Sequence, residues 1–147
     1  MTHAPIEIDI GSGRMLDRDA VLALYRAVDW SAASKPDALL AALANSHGLV
    51  TATHAGWLVG VGTALSDGHL VVYYPHLLVH PDCQRLGVGR RMMQALMARY
   101  AGFHMQMLTA DGASVAFYAS LGFQRAGDTA PMWIYAGTEH GIVTPEK

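Results

Sequence analysis

One cysteine, Cys83, is the only thiol in this chain of 147 residues, so no disulfide can form within it. The fold has to rest on its core, and the length is that of one domain with a core of proper size. Charge is scarce as well. Only 15% of residues are charged, the net charge is −2 at neutral pH, and no run of lysine or arginine occurs. A nucleic-acid-binding protein needs a basic surface, so nucleic acid is excluded as the main partner. Apolar residues make up 52% of the chain, yet no segment reaches the roughly 18 uninterrupted apolar positions of a membrane helix. The residues from Met1 to Glu7 lack the basic and apolar regions of a secretory leader. These absences predict a soluble cytoplasmic protein with no membrane partner. The high apolar content is then available for a deep cleft or a partner surface, a homodimer among the options.

Metal chemistry is not expected either. Eight histidines are present, but His76 and His80 lie in an extended stretch ended by Pro81, and no third ligand stands close in sequence. Cys83 has no partner base nearby and reads as an incidental thiol.

Among the features present, the stretch from Leu77 to Arg91 is the most informative. The apolar run Leu77-Leu78-Val79 ends at His80-Pro81, a glycine-bearing turn follows, and a helix begins at once. Val88, Met92, Met93, Leu96, Met97 and Tyr100 repeat at helical spacing. Arg85, Arg90 and Arg91 crowd the start of that helix, where cations oppose the helix dipole. Glycines and arginines together at a helix N-terminus suit an anion, most naturally a phosphate. Gly87 and Gly89 lack a Cβ and let backbone N–H groups approach phosphate oxygens. The alternative is an ordinary strand-to-helix turn with solvated arginines. Two other phosphate motifs fail on spacing: no third glycine completes G-x-G-x-x-G, and no lysine follows as in a P-loop.

Periodicity and turn residues outline the remaining elements. Ile6 to Ile10 alternates as an edge strand does. Helices are predicted over about 17–28 and 36–45, the first burying Val21, Leu22, Leu24, Tyr25 and Val28, the second Leu39, Leu40 and Leu43 behind Pro36. Residues 49–54 and 57–65 read as a hairpin around Ala55-Gly56, and Ser66-Asp67-Gly68 turns the chain into one long strand, Leu70 to Val79. After the long helix come a strand at 104–109, a short helix capped by Asp111 and closed by Gly122, and a last apolar strand, Met132 to Tyr135.

Gln84-x-x-Gly87-x-Gly89 resembles the acyl-CoA pyrophosphate loop of the GNAT superfamily of N-acetyltransferases. Phe117-Tyr118-Ala119-Ser120-Leu121-Gly122-Phe123, about thirty residues on, resembles the FYxxxGF segment of the same superfamily. Both the order and the separation fit, and the resemblance runs over nearly the whole chain. It implies an α/β fold, α+β in the finer sense, with a mixed, mostly antiparallel central sheet and helices on both faces. It further implies an enzyme that moves an acetyl group from acetyl-CoA to an amine. Gln84, Arg85, Leu86, Gly87, Val88, Gly89 and Arg90 then form the pyrophosphate loop, with Ser114 and Phe117 against the rest of the cofactor. Leu77, Leu78 and Val79 would pair with pantetheine amides through their backbones, and Leu78 or Val79 would leave one N–H for the thioester oxygen as its charge develops.

Tyr118 takes the place of the tyrosine that, in the superfamily, often donates a proton to the departing thiolate. The pattern breaks just upstream, where many relatives carry asparagine and this chain has Asp111 and Ser114. His76 has a side chain suited to removing the amine's proton near neutral pH. Strict alternation puts it on one strand face with Tyr74, although Pro75 favours a bulge there. A core histidine is the competing reading. For the acceptor, the resemblance points to Tyr25, Trp30, Asp67, Trp133 and Tyr135, and Tyr74 lies on the same strand as His76. Aromatic rings with one carboxylate suit a cationic, partly apolar amine. The leading expectation is acetylation of a small amine in a ternary complex. Acetylation of a protein lysine or N-terminus comes next, and a non-catalytic acyl-CoA-binding module last.

Overall fold

The computed structural model describes residues 4–138. Strand β1, Ile6–Gly11, lies antiparallel on β2, Gly48–His54, from Ile6 opposite His54 to Gly11 opposite Leu49. Between them, α1 (Arg18–Ala27) starts where the Asp17 carboxylate accepts from the Ala20 N–H at 2.9 Å. A 3₁₀ turn at Ser31–Ser34 leads into α2, Pro36–Ala44, whose first residue is a proline with no N–H to leave unpaired. The predicted hairpin forms: β2 turns into β3, Trp57–Ser66, through Ala55 and Gly56 with φ of 48° and 82°. Positive φ at both positions is what a two-residue hairpin turn requires.

Gly13 sits where the chain passes the end of α2. A Cβ there would lie 2.5 Å from the carbonyl oxygens of Ala44 and Ser46 and 2.7 Å from that of Leu43. Backbone cannot yield as a side chain can. Gly13→Ala should therefore cost about 2–3 kcal/mol or more of stability, read as a lower urea midpoint. An unchanged midpoint would mean that this crossing is looser than it looks.

The expected strand from Leu70 to Val79 is instead two strands. β4 is Val71–Tyr73 and β5 is Leu77–Val79, both antiparallel to β3. Leu65 faces Tyr73 and Gly62 faces Leu77, so four steps on one strand match three on the other. That mismatch is a bulge at Tyr74-Pro75-His76, the place where proline has no N–H to give to a ladder. β4 continues the sheet by pairing in parallel with β6, Met105–Met107, and the Tyr74 N–H donates to Met107 O at 3.0 Å. β5 has β3 on one side only. The sheet thus forks beyond Tyr74, and among the described residues no strand pairs with the other edge of β5.

Helix α3, Val88–Arg99, packs Met92, Met93 and Leu96 on one face of the sheet against Val50 and Ala52. On the other face, Leu49, Val61 and Leu78 meet Leu24, Tyr25, Leu40 and Leu43 of α1 and α2. Alternation along β2 and β3 thus divides the core into two layers. α4, Val115–Ser120, follows a 3₁₀ turn at Gly112–Ser114 and sets Tyr118 against the α3 layer. Gly122, at φ 103°, donates to Ala119 O while Phe123 donates to Tyr118 O, a Schellman ending of the expected kind.

Two further expectations need correction. The Asp111 side chain makes no capping bond; its carbonyl accepts from both the N–H and the hydroxyl of Ser114. Met132 to Tyr135 forms no strand. Met132 and Ile134 are 93% and 107% exposed, and Trp133 stacks on Tyr135 at 4.2 Å between ring centroids. An apolar run becomes a strand only where an edge accepts it, and this one runs beside the 3₁₀ turn after α1, where the Thr138 N–H meets Ser31 Oγ at 3.4 Å.

Candidate active site

The glycine turn leaves a helix end uncovered. Arg85 and Gly87 both adopt positive φ, 66° and 78°, and Gly87 precedes the first residue of α3 with no side chain capping the amides that follow. A Cβ on Gly87 would meet nothing within 4 Å, and one on Gly89 only Val79 and Phe117 at 3.7 and 3.8 Å. The first N–H groups of α3 have no partner within their helix, and the space before them is open. Gln84 steadies the approach by donating from Nε2 to Val79 O at 3.1 Å. The arginines divide their work. Arg90 donates to Ser120 Oγ at 2.6 Å and lies over the Phe117 ring, tying α3 to α4, while Arg91 donates to Ile6 O at 3.1 Å. Leu86 is exposed. Cys83 is buried in the α3 layer, as an incidental thiol can be.

The phase of β5 decides which amides face the fork. Thr63 N–H donates to His76 O at 2.9 Å, and His80 N–H donates to Val59 O at 2.7 Å. In an antiparallel ladder the hydrogen-bonded pairs alternate, so Leu78 turns its N–H and C=O toward Val61, its register partner. Leu77 and Val79 turn theirs into the gap. Of the two N–H groups named from sequence, that of Leu78 is thus committed to the sheet and that of Val79 points outward.

Below the fork lies a cleft of about 920 Å³. One wall is the loop between α1 and α2, with Trp30, Ser31 and Lys35; the floor is Tyr73 to Leu77; the other wall carries Asp111, Ser114 and Tyr118. Burial, and to a lesser degree the negative charge of Asp111, raises the Tyr118 hydroxyl above the usual phenol range. At neutral pH it is a proton donor. Its ring lies edge-on to Phe117 and Phe123, with centroids 5.0 and 6.0 Å away.

His76 faces the first wall. Its Nδ1 is 2.7 Å from Tyr25 Oη, and the Trp30 ring stands edge-on at 5.1 Å. Tyr25 is fully buried, and burial pushes its hydroxyl far above the usual phenol range, so it stays neutral. The bulge overturns the strict alternation: Tyr74 lies in the α3 layer and donates its hydroxyl to Gln106 Oε1 at 2.6 Å, whereas His76 packs with Tyr25 and Trp30 on the other side. Tyr74 still borders the cleft, but its hydroxyl is occupied. Asp67 stands apart from the cleft-lining residues. Its carboxylate accepts from the N–H groups of His69, Leu70 and Val71, closing the turn before β4, and these bonds, that of Leu70 foremost, hold it below the usual carboxylate range. Lys35 and the Tyr25 contact were not legible beforehand. Nothing in the spacing distinguishes a cleft lysine from a solvated one, and Tyr25 has the period of a core residue.

Among the described residues no group of three or more His, Cys, Asp or Glu could hold a metal ion, and no helix is long and apolar enough to cross a membrane. The model of the acetyltransferase (GNAT) domain family matches residues 20–132, well over half of the chain. No curated protein gives a significant match. Among solved structures, a GNAT-family acetyltransferase from Streptococcus pneumoniae is 28% identical, with a TM-score of 0.75 over 89% of this chain and 98% of that one. A protein described as a putative acetyltransferase from Deinococcus radiodurans is 24% identical, with a TM-score of 0.74 over 88% and 87%. An aminoglycoside acetyltransferase from an uncultured soil metagenomic sample, solved with sisomicin, is 19% identical, with a TM-score of 0.62 over 89% and 95%. Fork, glycine turn and tyrosine stand on a chain whose family is thereby shown: it belongs to the GNAT acetyltransferases, enzymes that use acetyl-CoA as the acyl donor.

Proposed function

We propose that this enzyme acetylates the primary amine of a small molecule, by direct attack on acetyl-CoA while both substrates are bound. The observation that carries the reading is one cleft bordered at once by the start of β5, by the Tyr118 phenol and by the aromatic wall at Trp30 and His76. A donor laid along the free edge of β5 and an acceptor on the aromatic wall would meet beside Tyr118. A neighbour that binds an aminoglycoside supports a small-molecule acceptor for this fold.

Each residue then has a task. The uncovered amides of Val88, Gly89 and Arg90 and the side chain of Arg85 receive the pyrophosphate. The outward N–H and C=O groups of Leu77 hold a pantetheine amide. The Val79 N–H stabilises the thioester oxygen as charge develops there, while the Val79 C=O accepts from Gln84. Gln84 keeps the loop against Val79, Arg90 and Phe117 fix α3 to α4, and Ser114 borders the chain near the thiol. Tyr118 gives a proton to the departing sulfur. Trp30 packs on the acceptor, and His76 takes the amine's proton, which requires Nδ1 to be the donor to Tyr25 so that Nε2 carries the lone pair.

Free-thiol release from acetyl-CoA across a panel of amines, peptides and buffer alone tests the reading. Turnover with small amines supports it; turnover with peptides only would replace it with protein acetylation. The cofactor loop has a separate test. Acetyl-CoA at about a hundred times its dissociation constant should add roughly 2.7 kcal/mol of stability. In Gly87→Val that gain should largely vanish, because the branched side chain fills the space before α3. The variant will also be less stable without ligand, since valine resists positive φ, so the comparison is of ligand-induced shifts. An undiminished shift would remove the phosphate from this loop.

A further inference from the structure

The wall of the cleft carries opposite charges that the expected cationic acceptor does not need. Lys35 borders it from the α1–α2 side and Asp111 from the α4 side, and among the described residues no other that lines the cleft has a full formal charge. Lys35 is one of only two lysines in the chain. The ion pairs among the described residues are Arg14 with Asp9, Arg18 with Asp37, and His80 with Asp82, none of which uses it. Asp67, the carboxylate expected to receive a cationic acceptor, is tied into its turn and does not border the cleft. The negative charge in the wall is that of Asp111, which acts on the Tyr118 phenol and so lies at the reacting end. A polycation would bring a second ammonium toward Lys35 and be repelled.

Resting on the proposed acetyl transfer, we propose that the acceptor is an amino carboxylate: a small primary amine whose carboxylate is received by Lys35 and whose apolar body packs on Trp30 and Trp133. The ammonium end approaches through the field of Asp111 and gives up a proton before attack. Lys35 touches no reacting atom. Its contribution is equal before and during the chemical step, so it belongs in KM rather than kcat. It sets which amine is chosen, partly by disfavouring those with a second positive charge.

Matched pairs test this directly: phenylalanine against phenethylamine and γ-aminobutyrate against propylamine, assayed by thiol release in the parent, Lys35→Ala and Lys35→Glu. In the parent, the carboxylate-bearing member of at least one pair should have a kcat/KM about tenfold or more above its partner, the scale of one charge-assisted contact. Lys35→Ala should erase that preference by raising KM at unchanged kcat, and Lys35→Glu should reverse it. The acetyl-CoA thermal shift should be the same in all three proteins, showing that the donor site is intact. Decarboxylated amines that match or exceed their partners, or a preference untouched by Lys35→Glu, would overturn the inference while leaving acetyl transfer standing. If no amine releases thiol, the proposed reaction fails. The same pairs are then compared by thermal shift in the presence of CoA, and the inference falls if no amino carboxylate stabilises the parent more than Lys35→Glu.

Discussion

Tyr118→Phe should lower kcat by roughly ten- to a thousand-fold, about the range expected of one acid catalyst, with acetyl-CoA affinity nearly unchanged. The substitution removes one oxygen and nothing else. Phenylalanine keeps the edge-on contacts with Phe117 and Phe123 and the packing against the α3 layer, so the melting temperature should hold. What goes is a hydroxyl that burial and the nearby Asp111 keep protonated. Without it the thiolate leaves with no proton from the protein, and an interaction made only in the transition state is lost. Such a loss lowers kcat and kcat/KM together. A variant that turns over a good amine at the parent's rate would make Tyr118 a packing residue and send the search for the acid to a bound water.

How much of this was legible beforehand depended on whether the signal was local. Val88 to Tyr100 could be read as a helix because its apolar face is an unbroken period and the glycine turn marks its start. The hairpin at Ala55-Gly56 and the helix ending at Gly122 were equally plain, each being a turn that needs positive φ. The break of the predicted long strand is different. Leu70 to Val79 has the composition of one strand, and Pro75 warns of an irregularity without giving its size. Only the registers of Tyr73 with Leu65 and Leu77 with Gly62 reveal the single extra residue. That residue sends Tyr74 and His76 to opposite faces, and it starts the fork that frees the edge of β5. Bulge and free edge share one cause: a proline where a ladder needed an N–H.

Met132 to Tyr135 marks the opposite error, in which a local signal was given a distant role, and Asp67 shows how local bonds can occupy a side chain named for a distant one. Asp67 follows Ser66 and precedes Gly68, and an aspartate there bonds its own backbone two and three residues on before it can serve a ligand. Met132 to Tyr135 is apolar enough for a strand, but a strand also needs an edge, which no property of the segment itself supplies. Lys35 was missed for the converse reason. Only the fold brings it to the cleft that Asp111, about seventy-six positions along the chain, also borders.

His76 offers the sharpest test of mechanism, because a single hydrogen bond decides what its other nitrogen can do. With Nδ1 as donor to Tyr25, Nε2 holds a lone pair and can take the amine's proton. The protonated ring then has two donors, and the buried, neutral phenol accepts one of them through its oxygen. On this reading kcat/KM rises with pH along a lower limb set by loss of the imidazole's proton. His76→Ala and His76→Gln should both abolish that limb and lower kcat/KM by roughly a hundredfold or more above it, with acetyl-CoA binding retained. Tyr25→Phe should keep the limb but weaken it, since the ring is then free to carry its hydrogen on either nitrogen. The reverse orientation predicts the reverse pattern. A phenol that donates to Nδ1 fixes the hydrogen on Nε2, so the parent has no limb for His76→Ala to remove, and Tyr25→Phe would create one. Steady-state profiles of these four proteins from pH ~5.5 to ~9, read around the imidazole range, separate the two orientations, and the second pattern would take the proton to solvent rather than to His76.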